Sequence, residues 1–137
     1  MTRFFMILFL LFPHVLLAAD KESQDDLLWG YADFLHALEE ENYEAAERYI
    51  DPQTTIGFGG DKDVSGFKRL IDNKVCVDDL VLALKQGCKV TQEQGETGCV
   101  SPPQFTDEET LYLGARLKFI HTDNDEVKIQ YLVCGGD

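Results

Sequence analysis

The chain has 137 residues, with 25 Asp plus Glu against 12 Lys plus Arg and a formal net charge of −13. That balance repels phosphate backbones and anionic lipid, so nucleic acid is not an expected partner. The length suits one domain rather than two.

The chain opens with a single positive charge, Arg3, followed by an apolar stretch from Phe4 to Phe12 and then Val15-Leu16-Leu17-Ala18-Ala19. A basic start, an apolar run and small residues at its end form a signal-peptide pattern. The expected cut follows Ala19, leaving residues 20–137 as a single exported domain, periplasmic or secreted. The apolar run falls short of the ~20 residues that a membrane span needs, so no span is expected after cleavage. Export also decides how the four cysteines, Cys76, Cys88, Cys99 and Cys134, are read. No Cys-x-x-Cys pair exists and no His lies at zinc-ligand spacing, so neither redox chemistry nor metal is expected. An even number in an oxidising compartment points to two disulfides, with three pairings open.

Ser23-Gln24-Asp25-Asp26 has the form of a capping box ahead of a helix. Leu27, Tyr31, Phe34, Leu35 and Leu38 then recur at helical spacing and form its apolar stripe. Asn42 is a candidate cap for a second short helix, Tyr43 to Ile50, which Asp51-Pro52 ends. The acidic run Glu39-Glu40-Glu41 reads as a solvated helix end. Thr54 to Phe58 is β-prone, and Gly59-Gly60-Asp61 closes it as a turn. Those glycines lack the Lys-Ser or Lys-Thr of a phosphate loop. A third helix is expected over Ser65 to Asn73, burying Phe67, Leu70 and Ile71. A fourth, capped by Asp78 and stopped by Gly87, is filled by Leu80, Val81 and Leu84.

The remainder reads as antiparallel sheet. Cys88 to Gln92 and Glu96 to Ser101 flank a polar turn. A loop from Gln92 to Gly95 sets Thr91 against Glu96 and Cys88 against Cys99, which favours that disulfide and leaves Cys76 with Cys134. Pro102-Pro103 ends the strand. Leu111, Leu113, Ala115, Leu117 and Phe119 alternate with polar residues, as do Val127, Ile129, Tyr131 and Val133. A three-residue loop, Asp123 to Asp125, matches the two apolar faces. It pairs Phe119 with Ile129, Leu117 with Tyr131 and Ala115 with Val133. Arg116, Lys118 and Lys128 then share the other face as an exposed basic strip and a candidate binding face for an acidic peptide. Helices first and strands afterwards imply an α+β fold, with N-terminal helices packed on one face of a C-terminal antiparallel sheet.

Tyr31-Ala-Asp-Phe-Leu-His-Ala-Leu38, Asn42-Tyr-Glu-Ala-Ala-Glu-Arg-Tyr-Ile50 and the closing hairpin together resemble the NTF2-like (cystatin-like α+β) superfamily in outline. That resemblance implies either a binding module or an enzyme with acid and His residues at the mouth of an apolar cone. The helix at Asp78 and the four cysteines depart from its usual pattern. Trp29, Tyr31 and Phe34 are the candidate pocket residues. Asp33 and His36 fall off the apolar stripe and His121 sits beside a turn, so all three read as exposed. No Gly-x-Ser-x-Gly and no calcium-loop spacing is present. The reading therefore leans away from an enzyme, names no catalytic residue and expects no cofactor. It expects an exported binding protein, an inhibitor or immunity-type partner of another protein in the cell envelope. The alternative is a small apolar ligand, or a reaction, in an NTF2-like pocket.

Overall fold

The protein is described by a computed structural model covering residues 13–135; most of the expected leader, residues 1–12, lies outside them. Four helices come before most of the sheet: α1 (Pro13–Glu39), α2 (Tyr43–Glu47), α3 (Asp63–Ile71) and α4 (Lys74–Lys85). The strands are β1 (Thr55–Ile56), β2 (Asp61–Lys62), β3 (Lys89–Glu93), β4 (Glu96–Ser101), β5 (Arg116–His121) and β6 (Val127–Val133). They form one six-stranded sheet in the order β2-β1-β6-β5-β4-β3, antiparallel except where β1 runs parallel to β6. Helices cover one face of that sheet, so the fold is α+β as expected. Among the described residues no helix is long and apolar enough to cross a membrane.

The core lies between α1, α3, α4 and the sheet. Leu27, Phe34, Phe67, Leu80, Leu84, Leu117, Phe119 and Leu132 are all fully buried. The α1 stripe is the one its spacing dictates, with Tyr31 and Leu35 at its half-buried margin. Gly30 lets the helix sit close on the sheet, since a Cβ there would meet Val127 Cγ1 at 2.7 Å. Asn42 caps α2 as expected, its side chain accepting from the Ala45 amide at 3.2 Å.

Several local expectations change. Ser23 is not a cap: α1 runs through it from Pro13, because Leu16, Leu17, Ala18 and Ala19 are good helix formers that give no stop signal. The cap of α4 is Asn73, which accepts from the Cys76 amide at 3.2 Å, so the helix starts a turn earlier than an Asp78 cap requires. The β3–β4 turn is tighter than expected. Glu93 faces Glu96, and only Gln94 and Gly95 lie between them, both at positive φ (52° and 80°). That is the backbone of a two-residue type I′ hairpin, whose twist matches the flanking strands. The register therefore moves by two, so that Thr91 faces Gly98 and Val90 faces Cys99.

The disulfide expectation nevertheless stands. Cys88 precedes β3 and reaches Cys99 diagonally, with Cα atoms 5.5 Å apart. Cys76 on α4 joins Cys134 just past β6, at 5.2 Å. Both bonds lie on the helix-covered side and fasten the segment around α4 to the sheet. Ser101 completes that join. Its buried hydroxyl lies 3.1 Å from the Ala83 carbonyl, in the last turn of α4, and 2.7 Å from that of Gly87 just past the helix.

The last hairpin also departs from simple alternation. Asp123, Asn124 and Asp125 form the loop, and Phe119 faces Ile129 as expected. A bulge then intervenes, and beyond it Lys118 faces Tyr131, Leu117 faces Leu132 and Arg116 faces Val133. The expected pairs Leu117–Tyr131 and Ala115–Val133 are therefore not formed. Leu111 and Leu113 are exposed rather than in a strand. The neighbouring ladder ends where Ser101 meets Leu117, and Pro102 has no N–H to extend it.

Candidate functional site

The strand register places Thr91, Gly98, Val100, Lys118 and Tyr131 on the sheet face away from the helices. The bulge creates this arrangement. It turns Leu132 into the core and leaves Gln130 and Tyr131 together on the open side, a re-aiming that bulges commonly perform. The 3-10 turn Pro103–Thr106 crosses the same side and brings Phe105 over it. Between that turn and the strands lies a cleft of about 340 Å³, whose walls include Thr91, Val100, Phe105, Lys118, Gln130 and Tyr131.

The expected basic strip does not survive as a strip. Arg116 and Lys118 are buried, at 9% and 7% exposure. Lys118 lies across Gly98, where a Cβ would meet Lys118 Cε at 2.7 Å. Its ammonium pairs with Glu93 at 3.2 Å and Glu96 at 3.7 Å. Lys128 instead donates to the Arg48 carbonyl at 2.7 Å, beside α2. Arg116 differs from both. Its guanidinium carbon lies 5.3 Å from the Phe58 ring centre and 5.0 Å from that of Phe105. Nη1 donates to the Gly114 carbonyl at 2.9 Å, and no carboxylate among the described residues pairs with it.

Two neutral groups on this face are also open. Thr91 Oγ1 is buried without a hydrogen-bond partner among the described residues. Tyr131 OH has no partner among the described residues, and its ring packs on Phe105 at 6.2 Å. Burial pushes the Tyr131 phenol up to about 12; Arg116 pulls it down and Glu93 adds to the rise. It is therefore a neutral hydroxyl at ordinary pH, able to donate. Comparison with known proteins returns no matching family model, no curated relative and no solved structure.

The expected pocket residues are not brought together. Phe34 is fully buried in the core, Tyr31 is half-buried against Phe119 with its hydroxyl donating to the Leu84 carbonyl, and Trp29 is 76% exposed. Asp33 is occupied in joining α1 to α2. It accepts from Tyr49 OH at 2.6 Å and from Arg48 Nη2 at 3.0 Å. His36 is exposed. His121 is half-buried rather than exposed, 3.3 Å from Asp26, with 12% of its side chain accessible. A second cleft, between the ends of α1 and α4, is lined by charges that are already paired, Lys85 with Glu39 and Lys74 with Asp78.

Sequence reasoning found Arg116 and Lys118 but missed Phe58, Phe105, Thr91 and Tyr131. Tyr131 had a signal of a kind: Leu132, next to it, breaks the polar-outward alternation of the strand.

Proposed function

We propose that this protein is an exported binding protein, an inhibitor or immunity-type partner of another protein in the cell envelope, and that it binds through the open sheet face. The export half of this reading rests on the Met1–Ala19 pattern together with two disulfides. The binding half rests on one observation: the face left uncovered by helices carries aromatic walls around a buried cation that the described residues do not pair. Aromatic residues and Arg at the centre of a patch are the usual anchors of protein interfaces. Phe58, at 69% exposure beside Arg116, is an apolar surface that a partner would cover. The net charge of −13 favours capture of a partner that is basic overall.

Support for this reading over an NTF2-like pocket comes from the space between helices and sheet. Phe34, Phe67 and Phe119 fill it, with the Phe34 ring centre 5.7 Å from Phe119 and 6.3 Å from Phe67. The test is photo-crosslinking in intact cells, with benzoylphenylalanine replacing either Phe58 or Trp29. Both are exposed aromatics, one beside Arg116 and one on α1. The expected result is an adduct of discrete mass from position 58 and none from position 29. An adduct from position 29 alone, or from neither, contradicts the proposal.

A further inference from the structure

We infer that Arg116 is the receptor for a carboxylate presented by the protein partner, held between the Phe58 and Phe105 rings with Tyr131 OH as a second donor. The inference deepens the binding reading above and rests on it.

The argument starts from the cost of burying charge. A guanidinium taken out of water is strongly disfavoured unless it is paired and hydrogen-bonded. Of the three cations expected on this face, Lys118 has two carboxylates and Lys128 has a carbonyl at its exposed edge. Arg116 is 9% exposed and has, among the described residues, one carbonyl and two aromatic faces. An Arg fork presents five donors in a plane, and a carboxylate fits two of them at once. Among the described residues most of that capacity is unused.

The surroundings select the ligand. Stacking between two rings leaves only the guanidinium edge for hydrogen bonding, which favours a flat acceptor such as a carboxylate. Tyr131 shares the Phe105 ring with Arg116, whose charge is near enough to pull its phenol down against the effect of burial. Its phenol stays protonated at neutral pH and therefore donates. Glu93 and Glu96 are held by Lys118, further along the face. The exposed neighbour Phe58, at 69%, asks for apolar atoms around the carboxylate. The occupant is thus an Asp or Glu side chain set in an apolar surface of another protein. Water excluded by that apolar ring would strengthen the ion pair.

The test titrates the purified exported protein, labelled with nitrogen-15, with phenylacetate and separately with phenylacetamide. The expected result is a saturable shift of the Arg116 Nε–H signal, and of the neighbouring Gly114 amide, with phenylacetate only. Arg116→Gln should weaken that binding by about tenfold or more, as loss of a charge-assisted pair does. Phe58→Ala, at an exposed site that does not threaten the fold, should weaken it about threefold. Tyr131→Phe should do so by a similar factor. No shift with phenylacetate, equal shifts with the amide, or Phe58→Ala binding unchanged would each overturn the inference. So would a self-dimer that Arg116→Gln dissociates, since the carboxylate would then belong to a second copy. An adduct from position 58 combined with any of these results would leave the binding reading standing and remove only the carboxylate.

Discussion

Replacing Cys76 and Cys134 together by alanine should lower the free energy of unfolding by about 4 kcal/mol. The two cysteines are 58 residues apart, and the bond closes a loop containing most of α4, the β3–β4 hairpin and both long strands. In the chain-entropy view, a disulfide acts mainly by restricting the unfolded chain, more so for a longer loop. Cys88 and Cys99 are only 11 residues apart, and their replacement should cost about 3 kcal/mol. Alanine is the right substitute because Cys99 is fully buried, and a serine hydroxyl there would add a desolvation cost of its own. A domain of this size has about 5–15 kcal/mol to lose, so either change is large and the first brings it near the threshold of folding. Urea titrations under oxidising conditions would measure both. A loss below about 1 kcal/mol for the long-range pair would show that the α4 layer is held by packing alone.

A change of similar size is expected from Phe34→Ala. The ring is fully buried in the last two turns of α1 and lies edge-on to Tyr49 at 5.9 Å and to Phe119 at 5.7 Å. Phe67 of α3 closes the third side at 6.3 Å. Truncation removes the contact by which α1, the segment after α2, α3 and β5 share one core. The lost burial plus the cavity left behind should cost about 3–5 kcal/mol. Trp29→Ala, on the same helix but 76% exposed, should change stability by no more than about 0.5 kcal/mol. Equal effects at the two positions would mean that α1 packs by a different face.

How much of this was legible in the sequence follows from what local rules can see. Helical stripes were legible because burial on one side of a 3.6-residue repeat leaves a mark in residue type, as Leu27, Phe34 and Leu38 do. The Asp123–Asp125 loop was legible for the matching reason in strands. The cysteine pairing was right although the hairpin register behind it was off by two, because Cys88 reaches Cys99 diagonally. What failed involved partners far along the chain. Leu111 and Leu113 alternate like a strand, yet no neighbour is left for them to pair with. The bulge between Phe119 and Lys118 has no mark of its own in the sequence, and it moves Tyr131 from the expected core to the open face. Charge pattern alone makes Arg116 and Lys118 exposed, whereas Phe105 and Phe58 arrive from other segments to cover Arg116, and Lys118 lies across Gly98 between Glu93 and Glu96. The candidate site is thus where alternation breaks and separate segments meet, the part that single-segment patterns do not encode.

On the proposed reading the two sheet faces divide the labour: helices and disulfides on one side hold the fold, and the other side would meet the partner. Hydrogen–deuterium exchange of the protein, free and in the complex captured from position 58, tests it most directly. Protection is expected around Phe58, over Pro103–Thr106 and from Tyr112 through Lys118, with α1 around Leu28 and Trp29 unchanged. Protection centred on Leu28 and Trp29, with the open face exchanging as in the free protein, would contradict it.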